Sequence, residues 1–381
     1  MSACDPKGLR VTDPLKALAD EGVSIWLDDL SRHRLVSGDL ERRVLDGQIT
    51  GVTTNPAIFH NALREAEVYE PRMRELAHLG LSAEETIRVL TVEDVRAACD
   101  LLRPVYEAGT GQDGRVSIEV DPRSAHDTAR TVAEAGLLWW LVDRPNVMIK
   151  IPATDEGLPA LTECLARGIS VNVTLIFSLE RYREVLRAYL DGMEQAKANG
   201  HDLSVIASVA SFFVSRVDTE VDRRLGKLGD EVALDLRGRA AIANATLAYR
   251  LYEQVLAGER WQRLAGAGAH PQRPLWASTG VKNPDYEDTR YVIDLVAPGT
   301  VNTVPEATLA AVMDHGVVRG DRVTPNYAAA AETFDRLAAV GVDMADVVIG
   351  LEQAGVAAFR DAWCELIADV ASATAAWGAD R

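Results

Sequence analysis

One lysine lies where a charged side chain is least expected. Lys150 stands within the apolar run Val-Met-Ile-Lys-Ile-Pro (147–152), which has the composition of a strand buried on both faces. An ammonium group in such a place costs several kcal/mol unless it is paired or neutralised. Because burial lowers the pKa of a lysine and a neutral amine attacks carbonyl carbons, Lys150 is a candidate Schiff-base nucleophile. The alternative is a buried structural lysine that is paired with Glu119 or Asp28.

Carboxylates interrupt two other apolar runs in the same way. Glu119 lies in Ser-Ile-Glu-Val-Asp, and Asp28 and Asp29 follow Ile-Trp-Leu. Since neighbouring residues of a strand point to opposite faces, only one of the two aspartates can point inward. One amine and two carboxylates supply the nucleophile, acid and base that Schiff-base chemistry on a polyol requires.

Neutral polar residues stand at further strand ends. Asn55 ends one predicted strand, and Asn172 and Thr174 share one face of another. A single asparagine or aspartate at a strand end is more often a turn residue or helix cap than a ligand. As a set they are more informative, because the carboxyl ends of the strands form the active-site face of an α/β barrel.

A familiar cofactor pattern is present in the wrong context. Gly109, Gly111 and Gly114 match GxGxxG, but the dinucleotide fingerprint follows a strand and opens a helix, whereas this run precedes a strand. We therefore predict a turn here. The patterns GxxxxGK[ST], HExxH and GxSxG do not occur in the sequence.

The elements that must position these side chains alternate between short β-branched runs and longer helical patterns. Nearly continuous apolar composition predicts parallel strands covered on both faces, and the alternation predicts right-handed crossovers. Eight such units would close a (β/α)8 TIM barrel. The predicted strands are residues 23–28, 50–55, 115–121, 146–153, 169–176, 204–211, 274–280 and 299–304.

The spacing of the strand ends separates the barrel from its additions. Two long intervals predict helical insertions after strands 2 and 6, at about 56–114 and 219–273. Beyond residue 322, an apolar stripe predicts a helical C-terminal extension packed on the barrel; its members are Phe359, Trp363, Leu366 and Val370. No low-complexity linker divides the chain, so we predict a single domain over 1–381 with a barrel core at about 23–320.

Composition narrows the class of protein. The 381 residues carry 40 lysines and arginines against 57 aspartates and glutamates, a formal net charge of −17. This balance argues against nucleic acid or an anionic membrane as the partner, while a small anion in a cleft remains possible. Cys4, Cys99, Cys164 and Cys364 have neither disulfide nor zinc spacing. With no signal-like N-terminus and no apolar run of membrane length, we expect a cytoplasmic enzyme.

Six ordered motifs resemble those of the transaldolase family. They are GVTTNPAIF, SIEVDPR, MIKIPAT, GISVNVTLIFS, ASVASFFVSRVD and ASTGVKNPDY, and the SIWLDDLSR start resembles the long bacterial branch. The resemblance covers most of residues 23–306. It implies a TIM barrel that uses no metal or organic cofactor and works in the non-oxidative pentose phosphate pathway. The implied reaction transfers dihydroxyacetone from sedoheptulose 7-phosphate to glyceraldehyde 3-phosphate, giving erythrose 4-phosphate and fructose 6-phosphate.

The resemblance also implies catalytic roles. Lys150 matches the Schiff-base lysine, and Asp28 matches the general acid/base, with Asp29 as the alternative. Glu119 matches a carboxylate that acts through a water held by Thr174.

Further matches concern the substrate. Asn55 and Asn172 match ligands of the substrate hydroxyls, Ser211 and Arg216 match phosphate ligands, and Phe213 matches an aromatic position beside the site. The alternative for Arg216 is a solvated helix residue that pairs with Asp218 or Glu220.

The seventh strand departs from the family pattern. Many members carry a second phosphate-binding arginine there, whereas this chain reads Ser278-Thr-Gly-Val-Lys282. We include Ser278 and Lys282 as substrate-binding candidates. Lys282 would act as a point charge, without the bidentate geometry of an arginine.

Two other functions compete with transaldolase. A fructose 6-phosphate aldolase-like enzyme would use the same lysine but release free dihydroxyacetone; such relatives are shorter, and Glu119 with the long insertions favours transfer. A non-catalytic barrel would bind sugar phosphates without a covalent adduct. We predict a transaldolase that acts on small sugar phosphates as a monomer or homodimer.

Overall fold

Eight parallel strands close into a barrel in chain order within residues 13–64 and 66–378, the part of the chain that the computed structural model describes. Every strand pairs with its sequence neighbours, and the last pairs back to the first, with Val23 opposite Thr300. The predicted (β/α)8 barrel is therefore confirmed. The strands are β1 Val23–Leu27, β2 Gly51–Val52, β3 Arg115–Glu119, β4 Val147–Pro152, β5 Val171–Ile176, β6 Ser208–Phe213, β7 Arg273–Ala277 and β8 Thr300–Val304.

Helices follow the strands and add to them where predicted. Three long helices, α4–α6, follow β2; α10–α13 follow β6; and α16 and α17 form the C-terminal extension. The helices are α1 Pro14–Asp20, α2 Arg32–Val36, α3 Asp39–Leu45, α4 Pro56–Arg64, α5 Ala66–His78, α6 Ala83–Ala108, α7 Thr128–Val142, α8 Gly157–Ala166, α9 Leu179–Ala198, α10 Ser215–Leu228, α11 Glu231–Asp235, α12 Ala240–Leu256, α13 Glu259–Ala265, α14 Arg290–Ile293, α15 Glu306–His315, α16 Tyr327–Ala339 and α17 Met344–Gly378, with 3-10 turns at Pro122–Ser124, Leu203–Val205 and Thr324–Asn326.

Most strands are a residue or more shorter than predicted, and β2 and β6 lose the most predicted residues. β2 ends at Val52; beyond it the backbone N–H of Thr53 still donates to the carbonyl of Leu27, and the Thr54 hydroxyl donates to the backbone carbonyl of Ser117. The first part of the predicted sixth strand, 204–207, is wrong: Asp202 accepts from the backbone N–H of Ser204 and begins a 3-10 turn. A local side-chain cap thus outweighs β-branched composition.

The glycine-rich run is a turn that closes the amino-terminal end of the barrel, as predicted. Asp113 accepts hydrogen bonds from Ser24 at 2.7 Å and from the Trp26 indole at 3.0 Å, and it pairs with Arg273 at 3.1 Å. Gly114 has φ of +73°, and a Cβ there would lie 2.2 Å from the backbone nitrogen of Tyr106. The glycine therefore allows a close approach that brings Asp113 into the barrel floor.

The apolar stripe of the C-terminal extension lies on α17 and packs as predicted. Phe359, Leu366 and Val370 are buried in the hydrophobic core, and Trp363 is half-buried against it. Helix α17 contacts β5, α10 and the turn Pro122–Ser124, so it crosses the carboxyl-terminal mouth of the barrel.

Two further sequence predictions concern the cysteines, which lack disulfide or zinc spacing, and the absence of an apolar run of membrane length. Cys99 and Cys164 are buried and Cys364 is exposed, all as free thiols, while Cys4 lies outside the described residues. Within residues 13–64 and 66–378, none of the helices combines the length and apolar composition that crossing a membrane requires.

Substitution of Gly114 by alanine should destabilise the fold. The Cβ meets backbone, which cannot swing aside, and φ is unfavourable for alanine, so we expect a loss of at least about 2 kcal/mol in the free energy of unfolding. Urea unfolding followed by circular dichroism measures it. Gly136→Ala on α7 is the matched control, since its Cβ meets no atom within 4 Å; we expect a gain of roughly 1 kcal/mol or no change. Equal midpoints for Gly114→Ala and the parent chain would contradict the close-approach argument.

Candidate active site

The centre of the site is an amine beside a carboxylate. Lys150 and Glu119 are register partners on β4 and β3, and Lys150 is only 5% exposed. Its Nζ lies 3.5 Å from Glu119 Oε2 and donates a 3.0 Å hydrogen bond to the backbone carbonyl of Thr54. The structure thus brings together the lysine and one of the acids singled out in the sequence.

Glu119 and Thr174 leave polar atoms unsatisfied at the same site. Burial raises the pKa of Glu119 to about 7, although the charge of Lys150 opposes the shift. Glu119 Oε2 and Thr174 Oγ1 are both buried and have no hydrogen-bond partner in the described part of the chain. Thr174 lies two residues beyond Asn172, the register partner of Lys150, on the same face of β5. Since buried polar atoms are nearly always satisfied, these two can hold a water or a substrate hydroxyl.

The two aspartates after β1 have different partners. Asp28 Oδ1 accepts a 2.8 Å hydrogen bond from Thr53, whose hydroxyl also contacts that of Thr303. Burial raises the pKa of Asp28, and the strongest opposing effect is the charge of Lys150. Asp29 instead accepts a 2.7 Å hydrogen bond from the guanidinium of Arg34. Asp28 is therefore the aspartate that belongs with Lys150 electrostatically.

A cavity of about 750 Å³ opens beside these aspartates and is also lined by His33, Asn61 and Glu306. Lys150 is not among its lining residues in the described chain. Of the candidates Lys150, Glu119 and Asp28, only Asp28 lines this cavity within the described residues.

Asn172 and Ser211 form one hydrogen-bonded chain inside the barrel. Ser211 donates to Asn172 Oδ1 at 2.7 Å, and Asn172 donates to Ser117 at 3.0 Å. All three side chains are essentially inaccessible to solvent. The structure therefore places Ser211 within the polar interior beside Asn172, with its hydroxyl proton already used.

Arg216 is a cation that contacts an aromatic ring and has no carboxylate partner among the described residues. Its guanidinium lies 5.4 Å from the centre of the Phe213 ring, and that ring packs on Phe177 at 5.1 Å. No ion pair or hydrogen bond of Arg216 occurs within the described residues. Pairing with Asp218 or Glu220 is wrong as an alternative, because Asp218 accepts hydrogen bonds from Tyr291 and Ala241 and Glu220 pairs with Arg223 and Arg224. Burial lowers the pKa of Arg216, as expected for a guanidinium held away from water.

The two substrate-binding candidates after β7, Ser278 and Lys282, lie in different surroundings. Ser278 has φ of +56°, and its hydroxyl lies 3.1 Å from that of Ser215, the residue before Arg216. Lys282 is exposed on the following loop, beside a cavity of about 560 Å³ formed by residues 281–288. Tyr286 donates to Asp222 of α10 at 2.6 Å, which fixes this loop to the helix that carries Arg216.

Asn55 has one of the functions weighed from the sequence, that of a residue that begins a helix, and its role as a substrate ligand stays a prediction. Its Oδ1 accepts from the backbone N–H of Ile58 at 3.0 Å and so begins α4. The side-chain NH2 of this half-buried residue remains available as a donor.

Several residues at the site were missed by sequence reasoning. Thr53 and Thr54 contact Asp28 and Lys150, and the motif GVTTNPAIF next to Asn55 was a signal that could have found them. Phe359 was predicted only as a packing residue, yet its ring centre lies 5.5 Å from Lys150 Nζ. Nothing in the local sequence of α17 indicates that contact.

A closed parallel barrel with polar side chains at the carboxyl ends of its strands defines the class, that of the TIM-barrel enzymes. The family model described as Transaldolase/Fructose-6-phosphate aldolase matches residues 25–370. A transaldolase of Thermobifida fusca is 61% identical over 95% of this chain and 99% of its own length. Transaldolase 1 of Streptomyces coelicolor is 62% identical over 96% of both chains. The chain therefore belongs to the transaldolase/fructose-6-phosphate aldolase family, and the resemblance drawn from its motifs is confirmed.

The raised pKa of Glu119 predicts a measurable dependence of stability on pH. Unfolded glutamate releases its proton near pH 4.5, whereas folded Glu119 keeps it to about pH 7. Between these values the folded state binds more protons, so this residue's contribution to stability is lost as the pH rises. Glu119→Gln removes the titrating group and with it this loss. The unfolding free energy of the parent minus that of the variant should therefore fall by on the order of 2 kcal/mol from pH 5 to pH 8.

Urea unfolding at the two pH values measures this difference. Glu332→Gln, at an exposed position of α16, is the control and should leave the pH dependence unchanged. Parallel pH curves for Glu119→Gln and the parent chain would contradict the prediction.

Proposed function

We propose that this chain is a transaldolase that holds its three-carbon donor unit as a Schiff base on Lys150. The observation that supports this most directly is the Lys150 amine, 5% exposed and 3.5 Å from the Glu119 carboxylate at the carboxyl end of a barrel strand. The relatives named transaldolase are about 60% identical over nearly the whole chain, which favours transfer over the aldolase-like alternative. The donor is sedoheptulose 7-phosphate or fructose 6-phosphate, and the acceptor is an aldose phosphate.

Imine formation begins when neutral Lys150 Nζ attacks C2 of the ketose. The carbinolamine that forms must lose water, and this step needs a proton donor. Glu119, with a pKa of about 7, is poised to be protonated in part at neutral pH. It delivers the proton through a water that its own Oε2 and the Thr174 hydroxyl hold, the two atoms that lack partners.

Cleavage follows from the positive charge of the iminium. Asp28 removes the proton of the C4 hydroxyl, the C3–C4 bond breaks, and its electrons reduce the iminium to an enamine. The aldehyde product leaves. An acceptor aldehyde is then attacked by C3 of the enamine, Asp28 returns the proton to the new alkoxide, and hydrolysis of the imine frees Lys150.

Binding roles follow from the free donors. The side-chain amides of Asn55 and Asn172 serve substrate hydroxyls. Arg216, which makes no ion pair or hydrogen bond within the described residues and lies over the ring of Phe213, binds the phosphate. Ser278 and Lys282 complete the phosphate region, with Lys282 as an outer point charge. Ser211 belongs to the same region, but its hydroxyl donates to Asn172, so it contacts phosphate only by exchanging that hydrogen bond.

We further propose that the chain is one domain, that it works in the cytoplasm, and that its partners are sugar phosphates, not nucleic acid. We propose a monomer or a homodimer as its assembly state. Sedimentation at several protein concentrations tests that last point.

The test of the function is chemical trapping. Incubation with fructose 6-phosphate followed by borohydride should attach a dihydroxyacetone-derived group to Lys150, detectable by peptide mass spectrometry. Lys150→Ala should abolish both the adduct and turnover. Asp28→Asn should still form the imine but lose at least about 100-fold in transfer, because the base for cleavage is gone.

Asp29→Asn is the matched control for Asp28. It removes a carboxylate that pairs with Arg34 and should cost far less activity. An adduct elsewhere than Lys150, or full turnover by Asp28→Asn, would contradict the assigned roles.

Arg216 provides a separate prediction about phosphate. Arg216→Ala should lower kcat/KM for phosphorylated donors by about 10- to 100-fold, the value of one charge-assisted hydrogen-bond pair. Trapping of unphosphorylated dihydroxyacetone on Lys150 should not change. Arg223→Ala, on the exposed side of the same helix, is the control. Equal losses with phosphorylated and unphosphorylated compounds would show that Arg216 does not bind phosphate.

A further inference from the structure

We propose that Phe359 of the C-terminal helix determines whether the three-carbon unit is transferred or lost to water. This inference rests on the proposed function, because it concerns the enamine formed on Lys150. It assigns a specificity-determining role to a residue outside the barrel.

The position of the ring supports the proposal. The Phe359 ring centre lies 5.5 Å from Lys150 Nζ, and the two residues are 6% and 5% exposed, respectively. Helix α17 contacts the turn after β3 as well as β5 and α10, so the ring reaches the amine from the mouth of the barrel. The ring therefore lies over the nitrogen on the side of the C-terminal helix, where it occupies space that water would otherwise fill.

The helix that carries the ring is held on both sides of the mouth. Glu352 pairs with Arg181 of α9 at 3.4 Å, and Asp346 pairs with Arg224 of α10 at 2.7 Å. Beyond the ring, Asp369 contacts His60 of α4 at 2.9 Å. These anchors fix α17 across the site.

One residue of α17 allows this close approach. A Cβ on Gly355 would lie 3.0 Å from Leu175, whose φ of +61° marks the irregular end of β5. The helix therefore packs directly against the barrel one turn before Phe359. This packing fixes the position of the Phe359 ring over Lys150.

The chemistry explains what such a cover does. After cleavage, the enamine either attacks an acceptor aldehyde or takes a proton from water at C3. In the second case water adds to the C2 iminium carbon, the Lys150 amine leaves, and free dihydroxyacetone is released. A phenyl ring has no proton to donate and excludes water, so it slows the second route. Its π-face also stabilises the iminium cation from which the enamine forms.

The experiment compares release with transfer. With fructose 6-phosphate alone, the release of dihydroxyacetone is measured; with erythrose 4-phosphate added, formation of sedoheptulose 7-phosphate is measured. Phe359→Ala should raise the ratio of release to transfer at least about tenfold, while borohydride trapping still labels Lys150. Phe359→Leu, which keeps apolar volume but not the ring, should raise the ratio about threefold.

Leu366→Ala is the matched control, since Leu366 is a fully buried residue two turns further along the same stripe. It loosens the packing of α17 without uncovering Lys150, and its ratio should equal that of the parent chain. If Phe359→Ala does not fold, Phe359→Leu decides the test alone.

The outcomes separate the two proposals. An unchanged ratio in a Phe359 variant that still forms the adduct would overturn this inference and leave the proposed function intact. An equal rise in Leu366→Ala would overturn it as well, because general loosening would then suffice. Absence of a Lys150 adduct in the parent chain would overturn the proposed function and this inference with it.

Discussion

The burial of one amine beside one carboxylate is the constraint on which the rest of the molecule depends. Lys150 and Glu119 lie opposite each other on β4 and β3, with their charged ends 3.5 Å apart and out of hydrogen-bond geometry. A buried ion pair of this kind contributes little to stability, because removing both ions from water offsets their attraction. Two apolar side chains at these positions would stabilise the barrel at least as much as the ion pair does. The pair is therefore explained by chemistry, and the raised pKa of Glu119 is the measurable sign that the site keeps a proton available near neutral pH.

Unsatisfied polar atoms occur at both ends of the barrel, so their presence alone does not mark the site. At the amino-terminal end, the Asp113 carboxylate accepts hydrogen bonds from three side chains, those of Ser24, Trp26 and Arg273. Near the same end, buried side-chain atoms lack a hydrogen-bond partner within the described residues; they belong to Arg115, Asn146 and Gln272. At the mouth, atoms of Glu119 and Thr174 are in the same position, but their strands flank the strand that carries Lys150. Burial makes an unpaired polar atom costly, and in the proposed mechanism a water and the substrate supply the missing partners.

The barrel and the centre of its site could be predicted because their signals lie within short segments of the sequence. An apolar strand interrupted by Lys150 or Glu119 is visible without knowing any neighbour, and so is the alternation that fixes strand order. Prediction was wrong at residues 204–207, where the Asp202 cap outweighs β-branched composition. It also could not show that Ser211 spends its proton on Asn172, since that depends on the register of β5 against β6. The stripe on α17 predicted a buried face but not what the face covers, because Phe359 and Lys150 are brought together only by the path of the whole chain.

The proposed chemistry makes two opposite demands on water, and the arrangement of the site separates them in space. Imine formation and hydrolysis need a water within reach of an acid. The enamine, in contrast, must be kept from proton donors until its C3 attacks the acceptor aldehyde. Glu119 and Thr174 offer unpaired polar atoms on the β3 and β5 side of Lys150, where a single water can be held. Phe359 covers the amine from the C-terminal helix, and Phe213 and Phe177 form an apolar pair near Arg216. In the proposed mechanism, a water held by Glu119 and Thr174 serves the imine carbon C2, and the apolar rings keep other water away from C3. Transfer rather than release then follows from where the apolar rings stand, and the lysine and its acids need not differ between the two activities.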